Sequence, residues 1–259
     1  MTNAIFTTDF KARPFWWEAH EPQPLPEVEL PKATRVVIVG AGYAGLNAAL
    51  ELHREGLDCI VLDANEPGFG GSSRNGGMVS GGVNVGKRYM AKAMSDAEAA
   101  PFLNDAADAF SHIEQLIARE NIDCGWHRAG YFLGAWCKNH YDSMAHKVDL
   151  LNETAKSEAY IVPPARQREE IGSDYYRGGM VVGRAGHLHP ALFFKGLLTL
   201  CQQRNIPIAT KTPATKLTET GSGWRVDTPR GSIEAGDVII ATNGYTGEVT
   251  PELKRRVVP

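Results

Sequence analysis

The stretch Val36-Val37-Ile38-Val39-Gly40-Ala41-Gly42-Tyr43-Ala44-Gly45-Leu46 limits what this chain can fold into more than any other part of it. Four β-branched residues in a row read as a strand buried on both faces. The glycines then turn the chain sharply into a helix: Gly40 for the tight turn, Gly42 for close backbone approach by a pyrophosphate, Gly45 for close packing of helix on strand. The spacing predicts a helix from Tyr43 to Glu55, with Leu46, Ala49, Leu50 and His53 inward and Gly56 ending it. Cys59-Ile60-Val61-Leu62 reads as a second buried strand with Asp63 at its carboxyl end, where a carboxylate can accept hydrogen bonds from ribose hydroxyls. Strand, turn, helix, strand and acid in this order point to a bound dinucleotide.

The 259 residues can bury a sizeable core in one large or two modest domains. A formal net charge of −3 implies no attraction to nucleic acid or to an anionic membrane. Cys59, Cys124, Cys137 and Cys201 are far apart in sequence and read as reduced thiols, not as a disulfide frame or a zinc site. Met1–Phe10 carries no signal-peptide pattern and no apolar run reaches bilayer length, so the expected location is the cytoplasm, with no membrane partner.

Residues 1–34 read as an N-terminal arm, too rich in proline for helix or ladder, with Phe15-Trp16-Trp17 pinning it to the domain. After Asp63 the glycine-dense run from Asn65 to Met78 argues for backbone close to a ligand, and Arg74 and Asn75 stand where they could meet phosphate, ribitol or a flavin edge. Leu103, Ala106, Phe110, Ile113 and Ile117 predict a helix ending near Asn121; Trp126 to Trp136 reads as strand and turn; Tyr141, Met144, Val148 and Leu151 predict another helix. This part carries no phosphate signature and reads as a substrate-facing module inserted into the nucleotide domain. His187 and His189 precede a helix opened by Pro190, and lack the partners a metal site needs, so no metal is expected. Ile206–Ala209 reads as a strand, and Ala214–Thr218, Trp224–Thr228 and Ser232–Glu234 as a β-meander. Val238-Ile239-Ile240-Ala241 reads as a separate buried strand closing on Thr242-Asn243-Gly244-Tyr245, a turn placed where ligands lie in open α/β sheets.

From Phe15 to its last residue the chain resembles the D-amino-acid oxidase-like, FAD-dependent amine oxidoreductases, most closely the γ-glutamylputrescine oxidoreductase branch. The resemblance rests on Val39–Leu46, on Gly70-Gly71-Ser72-Ser73-Arg74-Asn75-Gly76-Gly77, and on Val238–Tyr245. It implies that Gly40, Gly42 and Gly45, with Ala41, Tyr43 and Ala44, hold the FAD pyrophosphate, and that Asp63, followed by Ala64, holds the ribose. It implies further that Ser72, Ser73, Arg74, Asn75, Gly76, Gly77 and Met78 run along the phosphates and flavin. Pro213-Ala214 would give backbone to the adenine, and Ala241-Thr242-Asn243 would pass beneath the nucleotide. Asp63 stands where the family commonly has Glu, Ser73 where it has Gly, and Met78 where it has a polar residue. With no histidine in the 70–78 loop, the flavin is expected to be non-covalent.

The fold implied is α/β: a Rossmann-like FAD-binding domain (parallel sheet plus β-meander) with an inserted, incomplete α+β substrate domain. The expected division is 35–85 with 186–250 for FAD and 86–185 for substrate. Residues 251–259 would begin a return to the substrate domain that is cut short, because family members continue further. The activity implied is oxidation of the C–N bond of a small amine or amino acid. Hydride would pass to flavin, the imine would hydrolyse, and dioxygen or another acceptor would reoxidise the cofactor. A catalytically inactive FAD-binding remnant and an NAD(P)-linked dehydrogenase are the alternatives. No catalytic residue is assigned; Tyr131, Arg184 and His187 are candidates only. The oligomeric state is left open.

Overall fold

The computed structural model describes residues 5–80 and 96–257. In chain order the strands are β1 (Ala33–Val39), β2 (Cys59–Leu62), β3 (Met78–Ser80), β4 (Tyr131–Gly134), β5 (Ala159–Val162) and β6 (Gly179–Val182). They continue as β7 (Ala185–His187), β8 (Ile208–Ala209), β9 (Lys216–Thr220), β10 (Gly223–Thr228) and β11 (Gly231–Ile240). The helices are α1 (Tyr43–Arg54), α2 (Asp96–Arg119), α3 (Lys138–Ala155), α4 (Pro190–Gln203) and the short α5 (Pro251–Lys254). The chain divides into two compact units, Met1–Gly76 with Pro190–Pro259, and Gly77–His189.

The first unit is built on a six-stranded sheet in the order β8-β2-β1-β11-β10-β9. The first four strands run parallel and the last two antiparallel, the combination expected of a Rossmann-like sheet with a meander. Val36, Val37 and Ile38 are buried, as are all four residues of β2, because a parallel strand covered on both faces has no side left for water. One cluster joins Val37, Ile60, Leu62, Ala209, Val226, Ile233 and Ala235, and Val28 and Leu30 of the N-terminal arm pack against it. Leu46, Ala49 and Leu50 form the buried stripe of α1, and the Cys201 thiol of α4 donates to the Leu46 carbonyl at 3.7 Å.

Two expectations change here. His53 lies exposed at the final turn of α1, where a polar ring beside the helix's carbonyl end gains nothing by burial. The last meander strand and the strand expected at Val238 are one element. β11 runs ten residues without a break, pairing with β10 through Ala235 and with β1 along Glu234–Ile240. Gly236 stands at the handover between the two partners, where a Cβ would lie 3.1 Å from the Arg35 carbonyl oxygen.

The second unit holds a three-stranded antiparallel sheet, β4-β6-β5, and a two-stranded ladder, β3-β7. Met144 and Leu151 of α3 are buried with Ala135, Ala159, Met180 and Val182, and Tyr141 and Val148 pack around them, as the spacing predicted. Phe110 and Ile117 are buried on α2. The expected contributions of Leu103 and Ala106, and residues 81–95, lie outside the described residues.

Candidate functional site: a cleft at the carboxyl ends of three parallel strands

The registers Val39↔Leu62 and Val39↔Ile240 bring the carboxyl ends of β1, β2 and β11 level. In an open parallel sheet this is the edge at which ligands bind. The turn after β1 is fixed from both sides: the Gly40 amide donates to the Leu62 carbonyl at 2.7 Å, and the Ala241 amide donates to the Val39 carbonyl at 2.8 Å. Gly40 has φ +110°, and a Cβ there would lie 2.6 Å from the Ala241 carbonyl oxygen. Gly45 sits directly on the turn, where a Cβ would come within 1.8 Å of the Gly40 carbonyl oxygen. These two contacts leave no room for any side chain.

Helix α1 begins at this turn with Gly42 as its cap, so no side chain covers the helix's amino end from the capping position. Its dipole therefore presents partial positive charge to the space in front, a setting that favours phosphate. Ser72 approaches the same end, its hydroxyl accepting the Tyr43 amide at 3.0 Å. Tyr43 in turn donates through its hydroxyl to the Pro190 carbonyl at 3.0 Å, and Asn75 donates to that hydroxyl at 3.3 Å.

Asp63 closes the turn electrostatically. Its carboxylate accepts the Ala41 amide at 2.8 Å and the Asn65 amide at 2.9 Å. Burial pushes this carboxyl above its ordinary value, against the opposing effect of those two hydrogen bonds. Each oxygen keeps a second lone pair for a further donor.

In front of these groups lies a cleft of about 620 Å³, within the usual range for small-molecule sites. Of the expected site residues, Gly40, Ala41, Gly42, Tyr43, Ala44, Asp63, Ala64, Ser72, Asn75, Pro213, Ala214, Ala241, Thr242 and Asn243 line it. Asn243 has φ +47°, a left-handed conformation that is uncommon outside glycine and is tolerated best by Asn and Asp.

The remaining expected residues lie elsewhere. Gly45 is beneath the turn. Ser73 is fully buried, its hydroxyl accepting from the Trp17 indole at 2.8 Å and donating to the Gly68 carbonyl at 2.5 Å. Arg74 holds its guanidinium over the Trp17 ring at 5.0 Å and the Phe69 ring at 5.4 Å, and Gly76 is an exposed loop residue outside the cleft lining. Gly77 and Met78 belong to the second unit, where the Leu188 amide donates to the Gly77 carbonyl at 2.9 Å and Met78 pairs with His187. Phe69 and Tyr245, which the sequence reading named only as members of ligand-facing loops, also line the cleft, as does the segment from Gly247 to Thr250, which it passed over. The two aromatic rings stand 6.3 Å apart, and each directly follows or precedes the glycine turns already singled out.

Each catalytic candidate sits in the second unit. Tyr131 opens β4, and burial pushes its phenol up. His187 is exposed, its ring 5.4 Å from that of His127. Arg184 is buried, donating to the Ala107 carbonyl at 2.6 Å and the Ser111 hydroxyl at 2.5 Å. No three metal-ligating side chains converge among the described residues. No helix among them is long and apolar enough to cross a membrane.

Residues 35–259 match the family model described as DAO, FAD dependent oxidoreductase. The chain belongs to this FAD-dependent oxidoreductase family. Among curated relatives it is 30% identical over 233 residues to the probable oxidoreductase OrdL of Haemophilus influenzae, covering 86% of this chain and 53% of that one. It is 28% identical over 225 residues to γ-glutamylputrescine oxidoreductase of Escherichia coli, covering 86% and 52%. Among solved structures, glycine oxidase from Geobacillus kaustophilus superposes with a TM-score of 0.70 at 18% identity, over 86% of this chain and 59% of that one. L-amino acid deaminase from Proteus vulgaris gives 0.69 at 18%, over 85% and 50%. These structural likenesses show a common DAO-type fold. The DAO chain described here spans about half the length of the curated relatives it matches.

Proposed function

We propose that the cleft holds FAD non-covalently and that the protein oxidises the C–N bond of a small amine or amino acid. The observation that carries the reading is the convergence of three strand ends, a helix amino end with glycine at its capping position and one half-buried carboxylate on a single cleft. The backbone at Gly42–Ala44 would hold the pyrophosphate against the α1 dipole. Asp63 would use its remaining lone pairs for ribose hydroxyls, Pro213-Ala214 would meet the adenine, and Ala241–Asn243 would form the floor. Ser72 and Asn75 would orient the phosphate side from the glycine loop.

The bound cofactor supplies the redox chemistry: hydride acceptance from the carbon bearing a neutral amine, with the imine hydrolysed in water and electrons passed to dioxygen or another acceptor. What this chain supplies is position and charge. On this reading residues 1–76 with 190–259 are the nucleotide-binding domain, and 77–189 are part of the substrate domain. The names γ-glutamylputrescine oxidoreductase, glycine oxidase and L-amino acid deaminase, each carrying an amine or amino acid, support that substrate class.

The test is reconstitution of the purified chain with excess FAD, followed by gel filtration. A visible flavin band travelling with the protein is expected, and acid precipitation should release all of it. A colourless protein overturns the reading, and one that binds NAD instead favours a nicotinamide-linked dehydrogenase. Anaerobic addition of small amines to the flavin-loaded protein then separates turnover from binding alone, since only turnover bleaches the band.

A further inference from the structure

The N-terminal arm touches the glycine loop, and no residue of the arm lines the cleft. Its single helical turn, Phe15–Glu18, places the Trp17 indole where it donates to buried Ser73 at 2.8 Å and lies beneath the Arg74 guanidinium at 5.0 Å. Arg74 also covers Phe69 at 5.4 Å, and Phe69 lines the cleft and faces Tyr245. A few residues on, Pro22 presses against Gly68, leaving no space for a Cβ there: its Cγ would be 2.7 Å away. Ser73 passes the same constraint back, donating to the Gly68 carbonyl at 2.5 Å.

We infer that Trp17 is a positioning residue for the cofactor, holding the 68–75 loop in its cleft-lining form through Ser73 and Arg74. The inference rests on the reading that FAD occupies the cleft. Its physical basis is entropic. A glycine-rich loop has many conformations, and ordering it upon binding weakens affinity unless contacts outside the site order it beforehand. The indole supplies a directional hydrogen bond to a buried hydroxyl, and the Arg74 stack supplies a cation–π contact on the adjoining residue. Arg74, although charged and in a loop beside the site, is thus assigned to the buttress and not to the phosphates.

The test compares the wild-type chain with Trp17→Phe and Trp17→Ala by equilibrium dialysis against FAD, reading affinity and sites per chain separately. Trp17→Ala is expected to raise the dissociation constant about tenfold with sites per chain unchanged, the order of one hydrogen bond and one stack lost. Trp17→Phe keeps a ring under Arg74 and should fall between the two. Adding Arg74→Gln to Trp17→Ala should cost less than it does in the wild type, because the stack is already gone. Amide exchange of residues 68–75 without cofactor should quicken in Trp17→Ala. Equal affinities in wild type and Trp17→Ala overturn the inference. If Trp17→Ala loses sites per chain through misfolding, equal affinity of Trp17→Phe and wild type overturns it. If the wild type binds no FAD, the functional reading fails, and unchanged loop exchange then overturns the buttress separately.

Discussion

The Asp63 carboxylate accepts the Ala41 amide hydrogen at 2.8 Å, tying the end of β2 to the glycine turn that follows β1. Its other oxygen accepts the Asn65 amide at 2.9 Å, so one side chain sets the course of two cleft-lining segments. Asp63→Ala should therefore lower stability by about 1–3 kcal/mol in denaturant titration, the usual cost of leaving a buried donor, here the Ala41 amide, without its acceptor. It should also weaken FAD binding. Unchanged stability and unchanged affinity together would show that the turn holds itself.

The same carboxyl predicts a pH dependence. Burial holds it above its ordinary value, so the folded chain keeps the proton to a higher pH than the unfolded chain does. The contribution to stability is complete below about pH 4, the unfolded value. It is lost as pH rises through the folded value, and is flat above that. Unfolding midpoints of Asp63→Asn, which cannot ionise, should lack this step when measured across the acid range against wild type.

Gly45→Ala is expected to be the most damaging single methyl in the turn. The added carbon would fall 1.8 Å from the Gly40 carbonyl oxygen, and both partners are backbone. We expect a loss of more than about 3 kcal/mol and no retained flavin. Gly42→Ala meets only the Ser72 hydroxyl, at 3.0 Å, and should fold while binding FAD poorly. Normal melting of Gly45→Ala would refute the packing described.

Among the four thiols Cys137 alone is exposed. A thiol reagent should modify Cys137 quickly and Cys59, Cys124 and Cys201 only upon unfolding. Burial pushes Cys201 up to about 12. Its contribution to stability is intact below about pH 8.5, where the unfolded thiol begins to ionise, and declines as pH climbs towards the folded value. Cys201→Ala should remove that part of the alkaline slope in urea titrations.

Arg230 fastens the arm to the sheet. Its guanidinium donates to the Val28 carbonyl at 2.6 Å and the Thr212 hydroxyl at 3.0 Å, and pairs with Glu27 at 2.8 Å. Arg230→Ala should lose about 1–2 kcal/mol and expose residues before β1 to protease, with Lys recovering part of it.

The β1–turn–α1–β2 unit was legible because four constraints coincide within a short stretch: an unbroken β-branched run, spaced glycines, a helical stripe and a terminal acid. β6 was not, although Gly179, Met180, Val181 and Val182 are all buried, because so short an apolar run carries no period to read. The continuity of β11 escaped because Ala235-Gly236-Asp237 looks like punctuation, and only the partner strands show that pairing resumes at Asp237 directly after it. The placement of Ser73 and Arg74 depends on Trp17, more than fifty residues away in the chain, a pairing that no local pattern records.

β11 acts as a common ruler for two structures that look independent. Its first half sets the hairpin with β10, and its last residues set where Ala241 roofs over Gly40. Lengthening the bend at Pro229-Arg230-Gly231 would leave that alignment alone. Deleting one residue at Gly236 would invert Val238 and Ile240 across the sheet and pull the roof off the nucleotide turn, so that damage to a remote hairpin would be felt first as loss of the cofactor.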